Sequence, residues 1–409
     1  MRLSFLHDPK VKYLFSVVDG AGEELRVVGG AIRNALLGEP VHEIDFASTA
    51  LPQVTMARAQ KAGLRCVPTG IDHGTVTIII EGTPFEITTL REDVETDGRR
   101  AKVRYGRNFE HDALRRDFTM NALSCRADGE IFDYVGGLAD IERRHVRFIG
   151  DAIQRVREDY LRILRFFRFH AAYGEGPFDA AAFLAAITER EGMHNLSRER
   201  IRAELLKLVV ARNAAPVVAQ MCGAGMLIPV LAGIATPSRL AHIAAIETAR
   251  RTKPDAVLRL MALCILVRED AERLQQELRL SNAETERMRG AARLLEKLHG
   301  YETPPSEEES LIFLYEHGRQ TCLDALTLAQ AESHARPDDA HWLAAHQFLS
   351  ETPEPQLPFT GADLVAQGLS PGPQIGQILK ALQADWIRAG FPRDPATLNR
   401  LLKKATGDS

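Results

Sequence analysis

The stretch VVGGAIRNALLGEPVHEIDFAST, Val27–Thr49, decides the fold of the first part of this chain. A β-branched run ends in Gly29-Gly30, a short amphipathic segment of helical spacing follows, and a second strand is expected to begin near Glu43. Gly30 has no side chain to block a phosphate, and the amides opening the helix behind it can bind an anion, with Arg33 one turn in. Glu43 and Asp45 stand at i and i+2, and a strand's period of two puts both carboxylates on one face, where they can share oxygen-liganded Mg²⁺. Two such ions would bridge a nucleoside triphosphate and activate an attacking hydroxyl. A solvated strand face can carry the same acidic pair, so the signal lies in turn and pair occurring together, thirteen residues apart. G-x-G-x-x-G is missing, no G-K-[ST] follows, and His42-Glu43 has no second histidine four residues on, which excludes a dinucleotide fingerprint, a P-loop and a zincin.

Working outward, LRVVGG, TVTIII and PFEITTL read as short strands, AIRNALLG and LPQVTMARAQKAG as helices. From Asp151 strand signals nearly vanish and helical segments follow one another, among them DAIQRVREDYLRILRFFRFHAAY, SRERIRAELLKLVVA, PDAVLRLMALCILV, NAETERMRGAARLLEKL and SEEESLIFLYEHGRQTCLDALTLAQA. The expected class is α+β: a mixed-sheet head followed by helices only. With 409 residues, 45% apolar and 26% charged, disorder and collagen are excluded and two or three domains are expected. The five cysteines lie at least forty positions apart with no CxxC, which fits neither a disulfide framework nor a zinc site. The opening MRLSFLHDPK is interrupted too early for a signal peptide and no apolar run approaches a bilayer span, so a cytoplasmic protein without a membrane partner is expected. The formal charge of -4 hides an asymmetry: Arg99–Arg202 holds 20 Lys and Arg against 16 Asp and Glu. A basic middle on an acidic chain is a footprint for a polyanion.

Further segments carry chemistry. In RRDFTMNAL, Arg116 supplies a donor fork for triphosphate oxygens, and Asp117 is placed to hold that arginine or a helix end. DYVGGLAD, Asp133–Asp140, reads as a strand end and glycine turn with a structural role. Glu86 in PFEITTL is a candidate third carboxylate. SRERIRAEL, Ser197–Leu205, offers Arg198, Arg200, Arg202, Glu199 and Glu204 for bracing the preceding helix by ion pairs.

These segments in this order resemble one family, the class II tRNA nucleotidyltransferases that build or repair the CCA 3' end, with bacterial poly(A) polymerases as close relatives. GGAIRN with EID is similar to the family's first motif, RRDFTMNAL to the second, DYVGGLAD to the third, EDYLRILRF to the fourth and SRERIRAEL to the fifth. The tail segment beginning LPFTGADLVAQGL also resembles family C-termini, and its Gly361, Gly368, Gly372 and Gly376 are candidates for exposing helix-start amides to RNA, although helix caps alone would explain them. TDGRRAKVRYGRN, Thr96–Asn108, looks like the family's mobile loop beside the active site.

The resemblance implies a polymerase-β-like head over residues 1–148, a helical base-reading neck over 149–212, and a helical body and tail over 213–409 that holds the tRNA acceptor arm. It implies Mg²⁺ on Glu43 and Asp45, CTP and ATP as substrates, and Gly30, Arg33 and Arg116 positioning the triphosphate. In the fourth motif, Asp159 and Arg162 lie three apart on one expected helix and form a single hydrogen-bonding edge. Cytosine and adenine both present an exocyclic amine beside a ring-nitrogen acceptor, which a carboxylate and a guanidinium match; guanine and uracil present the reverse. Arg165 continues this three-residue series and Arg168 lies half a turn from Asp159, and the resemblance implies nucleotide binding by both. An ordinary surface Asp-Arg pair is the plainer reading of the same spacing.

Two positions depart from the family pattern: Asn34 and Glu43 stand where aspartates are usual. Addition of C and A to the tRNA 3' end is therefore weighed against poly(A) polymerase, a CC-only or A-only enzyme, and a non-catalytic RNA-binding relative. An H...HD...D phosphohydrolase domain has no match after residue 215, and the oligomeric state stays open with a monomer favoured.

Overall fold

The computed structural model of the protein describes residues 3–71, 74–94, 102–367 and 369–406. The chain forms two compact units, Met1–Val217 and Val218–Ser409. The expected head and neck both lie in the first.

The head is a seven-stranded mixed sheet in the order β3-β4-β5-β2-β1-β8-β9. Its strands are β1 (Leu25–Val28), β2 (Asp45–Ser48), β3 (Arg65–Gly70), β4 (Thr75–Ile80), β5 (Thr83–Thr89), β8 (Ser124–Cys125) and β9 (Ile131–Phe132), while β6 (Arg91–Val94) and β7 (Lys102–Tyr105) form a separate hairpin. Residues 95–101, which belong to the expected loop or adjoin it, lie outside the described residues, and the 102–105 part of that loop is strand β7. Strand β2 pairs antiparallel with β1 and parallel with β5, bringing Val28 opposite Asp45 and Phe46 opposite Ile87. Five helices accompany the sheet: α1 (Pro9–Val18), α2 (Gly30–Leu37), α3 (Pro52–Lys61), α4 (Phe109–Leu114) and α5 (Gly137–Glu142). Helix α1 buries Val11, Leu14, Phe15 and Val18, an i, i+3, i+4, i+7 stripe, and Phe15 meets Phe46 edge-on at 5.6 Å.

Four neck helices complete this unit: α6 (Ala152–Glu158), α7 (Leu161–Tyr173), α8 (Ala180–Thr188) and α9 (Arg198–Val209). The single helix expected through Asp159 is two. Asp159 has φ −159° and ψ 105°, an extended residue between α6 and α7, and its carboxylate accepts from the Leu161 amide at 3.1 Å. Phe118 stacks between Phe148 (5.0 Å) and Phe169 of α7 (4.8 Å), so the head's RRDF segment shares an aromatic core with the neck. Burial of each such ring contributes about 1.5–3 kcal/mol.

DYVGGLAD has the structural role expected of it. The Asp133 carboxylate accepts from the amides of Val135, Gly136, Gly137 and Leu138, at 2.9–3.1 Å, and a Cβ on Gly137 would lie 2.3 Å from the Thr119 carbonyl oxygen.

The second unit is helical throughout its described residues. The segment Asn282–Leu298 is one helix, opened by a capping box in which Ser281 and Glu284 satisfy each other's backbone amides. SEEESLIFLYEHGRQTCLDALTLAQA divides into Glu307–His317 and Arg319–Glu332 at Gly318, whose φ of +75° no helix continues. Among the described residues no helix is long and apolar enough to cross a membrane.

Candidate active site

A cavity of about 400 Å³ opens in the head, lined by Asp45 and Ala47 of β2, Glu86 and Thr88 of β5, and Arg91, Arg115 and Arg116. Asp45 is the first residue of β2 and Glu86 precedes its partner pair Phe46–Ile87 by one, so the parallel pairing sets the two carboxylates side by side. Strand β2 starts at Asp45, and Glu43 lies before it in the connecting segment. The shared strand face expected for Glu43 and Asp45 is thus corrected: β5, not the strand period, supplies the neighbouring carboxylate. Glu43 is exposed yet close enough for its charge to act on Asp45. Partial desolvation of this exposed residue at the cleft wall, then Glu86, then Glu43 push the Asp45 carboxyl above the ordinary carboxylate range, against the opposing pull of Arg116.

Opposite these carboxylates stand Arg115 and Arg116, both held by one side chain that sequence reading missed. Asp112 of α4 is 4% exposed; one oxygen accepts from Arg115 Nε at 2.9 Å and the other from Arg116 Nε and Nη2 at 3.1 and 2.9 Å. Burial raises the Asp112 carboxyl, but the two guanidiniums outweigh it and hold it below its usual range. Asp117, expected to hold Arg116 or a helix end, does not hold Arg116; it accepts from the Phe118 amide at 2.8 Å, at the start of the short helix Thr119–Asn121. It also accepts from Arg165 Nε at 2.9 Å and from Asn121 Nδ2 at 3.1 Å. The i, i+3 and i, i+4 spacing of Asp112 to the arginine pair was the available signal.

The glycine turn closes over this arginine. Gly29, at φ +74°, caps α2, and a Cβ there would sit 3.0 Å from Arg116 Nη1. Gly30 is ordinary helix, where a Cβ would only touch Arg33 Nη2 at 3.6 Å. Arg33 is buried and is not among the residues lining the cleft. Its guanidinium donates to Asn121 Oδ1, to Tyr173 Oη at 2.9 Å and to Asn34 Oδ1 at 2.8 Å, and lies 4.1 Å from the Tyr173 ring centre. It ties α2 to α7. Asn34, at the departure from the family pattern, braces Arg33 without a charge.

In the neck, Asp159 and Arg162 do not bond through their side chains. Asp159 accepts from Arg200 Nη2 of α9 at 2.7 Å, and Arg162 donates to the Arg155 carbonyl at 2.9 Å and to Glu158. Both flank the start of α7. Arg165 joins Asp117, with Glu204 at 3.6 Å, and Arg168 donates to Glu204 at 2.6 Å. Helix α9 therefore braces α7 through Arg200 and Glu204, and Arg168 belongs to that brace.

Among the described residues no group of three or more His, Cys, Asp or Glu forms a ready-made metal cage. The donor set nevertheless suits Mg²⁺, which takes one or two carboxylates and completes its shell with water and substrate phosphate. The negative charge of Glu86 and Glu43, which adds to desolvation in raising Asp45, is what a dication would neutralise.

Residues 25–147 match the family model for the poly A polymerase head domain, and residues 251–401 match a putative domain 2 of tRNA nucleotidyltransferase. Fold and cleft define a nucleotidyltransferase of the poly(A) polymerase head class. The mitochondrial CCA tRNA nucleotidyltransferase 1 of Mus musculus is 30% identical over 401 residues, covering 96% of this chain and 90% of that protein. The CCA-adding enzyme of Limosilactobacillus fermentum is 30% identical over 94% of each chain. A crystal structure of the Bacillus stearothermophilus CCA-adding enzyme in complex with CTP superposes with a TM-score of 0.76 at 25% identity, covering 96% of both chains. The chain belongs to the class II CCA-adding tRNA nucleotidyltransferase family.

Proposed function

We propose that this protein adds C and A to the 3' end of tRNA from CTP and ATP, building or repairing CCA with release of pyrophosphate and without a nucleic-acid template. The observation that carries this reading is the cleft in which Asp45 and Glu86 face the Arg115–Arg116 pair, in a chain alike over nearly its whole length to CCA-adding enzymes.

The oxygen of the tRNA 3' hydroxyl attacks the α-phosphorus and gives up its proton to solvent; the bond from that phosphorus to the bridging oxygen breaks, and pyrophosphate leaves with the electron pair. Asp45 and Glu43 are the residues to hold Mg²⁺, with Glu86 alongside. When bound, the ion lowers the proton affinity of the attacking hydroxyl and offsets charge on the phosphoryl oxygens. Arg116, with Arg115, takes triphosphate oxygens, and Asp112 keeps both guanidiniums aimed at the cleft. The helix start at Gly30 adds backbone donors, while Arg33 acts as a positioning residue that fixes α2. Asp159 and Arg162 read the base edge, Arg165 and Arg168 stabilise the helix that carries them, and a wrong base leaves a charged group without a partner, costing about 1–3 kcal/mol. The head to residue 148, the neck to 212 and the body beyond are proposed as catalytic, base-reading and tRNA-holding parts. The cytoplasm is the proposed compartment, supported by five cysteines that form no disulfide.

Primer extension tests this reading: the protein with Mg²⁺, tRNA transcripts ending at the discriminator base, C or CC, and each triphosphate alone or CTP with ATP. Growth by CCA that then halts is expected. A continuing A tail would mean a poly(A) polymerase, CC-only or A-only products a division of labour, and tRNA binding without incorporation a non-catalytic relative.

A further inference from the structure

The second unit contains a cavity of about 190 Å³. Arg250, the last residue of the helix Pro237–Arg250, lines it together with Lys253, Thr327 and His346. Arg250 donates Nη1 to Thr327 Oγ1 at 3.1 Å and Nη2 to Gln330 Oε1 at 2.8 Å, both neutral acceptors. Its Nε is buried with no hydrogen-bond partner, and among the described residues no carboxylate forms an ion pair with it.

The carboxylates that reach the same cavity are engaged elsewhere. Glu247 accepts from Arg259 at 2.7 Å, and Asp255 and Asp324 share Arg287 at 2.7 Å each. The lining itself carries Arg250, Lys253 and Arg287 against Glu247, Asp255 and Asp324; with Glu247 neutralised by Arg259 behind the wall, one positive charge is left in excess. Burial holds the Arg250 guanidinium down to about 10, leaving it charged at neutral pH. Burial and the Arg250 charge push His346 down to about 4, so the imidazole is neutral and adds no counter-charge of either sign.

Arg250 is half-buried, and a guanidinium whose Nε is buried without a partner or counter-ion is costly enough that proteins keeping one generally supply it with an anion. A guanidinium fork with a hydroxyl and an ammonium nearby matches the several oxygens of a tetrahedral oxyanion. The volume suits one phosphoryl group and is too small for a nucleotide. We propose that this cavity is a phosphate-type oxyanion site, with Arg250 as its anchor, Thr327 beside it and Lys253 at its mouth. The same chemistry is offered by free inorganic phosphate and by one phosphodiester of a bound RNA. The site is independent of the head's chemistry, and its test reads no catalysis.

Inorganic phosphate is titrated calorimetrically into the full chain at fixed ionic strength in chloride buffer. Arg250→Gln is expected to weaken the Arg250-dependent binding at least tenfold, while Arg251→Gln, which removes the same charge from an exposed residue outside the cavity, leaves it unchanged. Identical isotherms for the wild-type chain and Arg250→Gln overturn the proposal. Should Arg250→Gln fail to fold, Lys253→Met, at an exposed position, is expected to weaken phosphate binding at least threefold, and unchanged binding there overturns it equally. tRNA binding across a salt series separates the sources. A phosphodiester occupant predicts weaker tRNA binding by Arg250→Gln and a salt slope smaller by about one. A free oxyanion predicts unchanged tRNA affinity alongside lost phosphate binding. Lost tRNA affinity with intact phosphate binding overturns the site.

Discussion

The buried carboxylate of Asp112 divides its two oxygens between neighbouring guanidiniums, one accepting from Arg115 and the other from Arg116, whose Nη2 lies 2.9 Å away. Both arginines line the cleft that holds Asp45, and Asp112 lies in the same wall with its two oxygens taken up by them. Asp112→Asn replaces one acceptor with a donor facing a guanidinium and removes the charge that balances two. The expected result is a CTP KM raised about tenfold, with a loss of stability of about 1–3 kcal/mol. Single-nucleotide addition kinetics and urea unfolding measure the two effects. A double-mutant cycle with Arg116→Ala should show strong coupling, and additive losses would mean that Asp112 does not position Arg116.

Gly29 and Gly30 are adjacent, yet only Gly29 is demanded by the backbone. At φ +74° and ψ −121°, an alanine at position 29 is strained by about 1–3 kcal/mol and its Cβ crowds Arg116 Nη1 at 3.0 Å. Gly30→Ala places a methyl in ordinary contact on a helix and reduces the freedom of the unfolded chain. Gly29→Ala should therefore lower both melting temperature and nucleotide addition, while Gly30→Ala leaves stability equal or slightly higher. If Gly30→Ala abolishes addition in a fully folded protein, the amide at position 30 lies closer to the phosphates than its helix geometry suggests.

The sequence showed local order well and long-range partners poorly. The helix Asn282–Leu298 is legible from its unbroken apolar period, and the structure adds the Ser281–Glu284 capping box that opens it. Periodicity alone read through the breaks at Asp159 and Gly318, since the apolar pattern resumes on the far side of each. The sequence offers Asp45, Arg116 and Glu86 as candidates one by one, but that Glu86 stands beside Asp45 depends on the parallel β2–β5 pairing, a contact between distant parts of the chain. Arg33 was read as a phosphate ligand because it follows a glycine turn. Its partners Asn121 and Tyr173 lie 88 and 140 residues away, beyond the reach of any local pattern.

Acid should loosen the join between head and neck. Burial alone would raise Asp117, but Arg165 and the hydrogen bonds from Asn121 and the Phe118 amide outweigh it, so its folded carboxyl titrates below the ordinary value of 3.8. A depressed folded pKa contributes stability that is fully present above the unfolded value and is lost as pH falls through the folded one. The first thermal transition of the full chain should thus drop between pH 5 and pH 3 more steeply in wild type than in Asp117→Asn, whose transition is lower at pH 7. Parallel curves for the two proteins would place the acid sensitivity in other carboxylates.

Asp159 is held in an extended residue between two helices, one oxygen on the Leu161 amide and the other 2.7 Å from Arg200 Nη2. This geometry fixes an acceptor at the start of α7, while Arg162 is paired with Glu158 and the Arg155 carbonyl and not with Asp159, so reading one base edge as proposed requires Arg162 to exchange those partners for the base. On the proposed base-reading role, Asp159→Ala removes the partner of the exocyclic amine of cytosine and adenine. Discrimination of CTP over UTP, as a ratio of kcat/KM values, should then fall by between about fivefold and a hundredfold. Arg200→Ala leaves the carboxylate in place but less restrained, and should raise KM for CTP and ATP alike with discrimination largely kept. A merely structural Asp159 would slow all four nucleotides equally, so an unchanged CTP to UTP ratio in a folded Asp159→Ala protein would remove this residue from base reading.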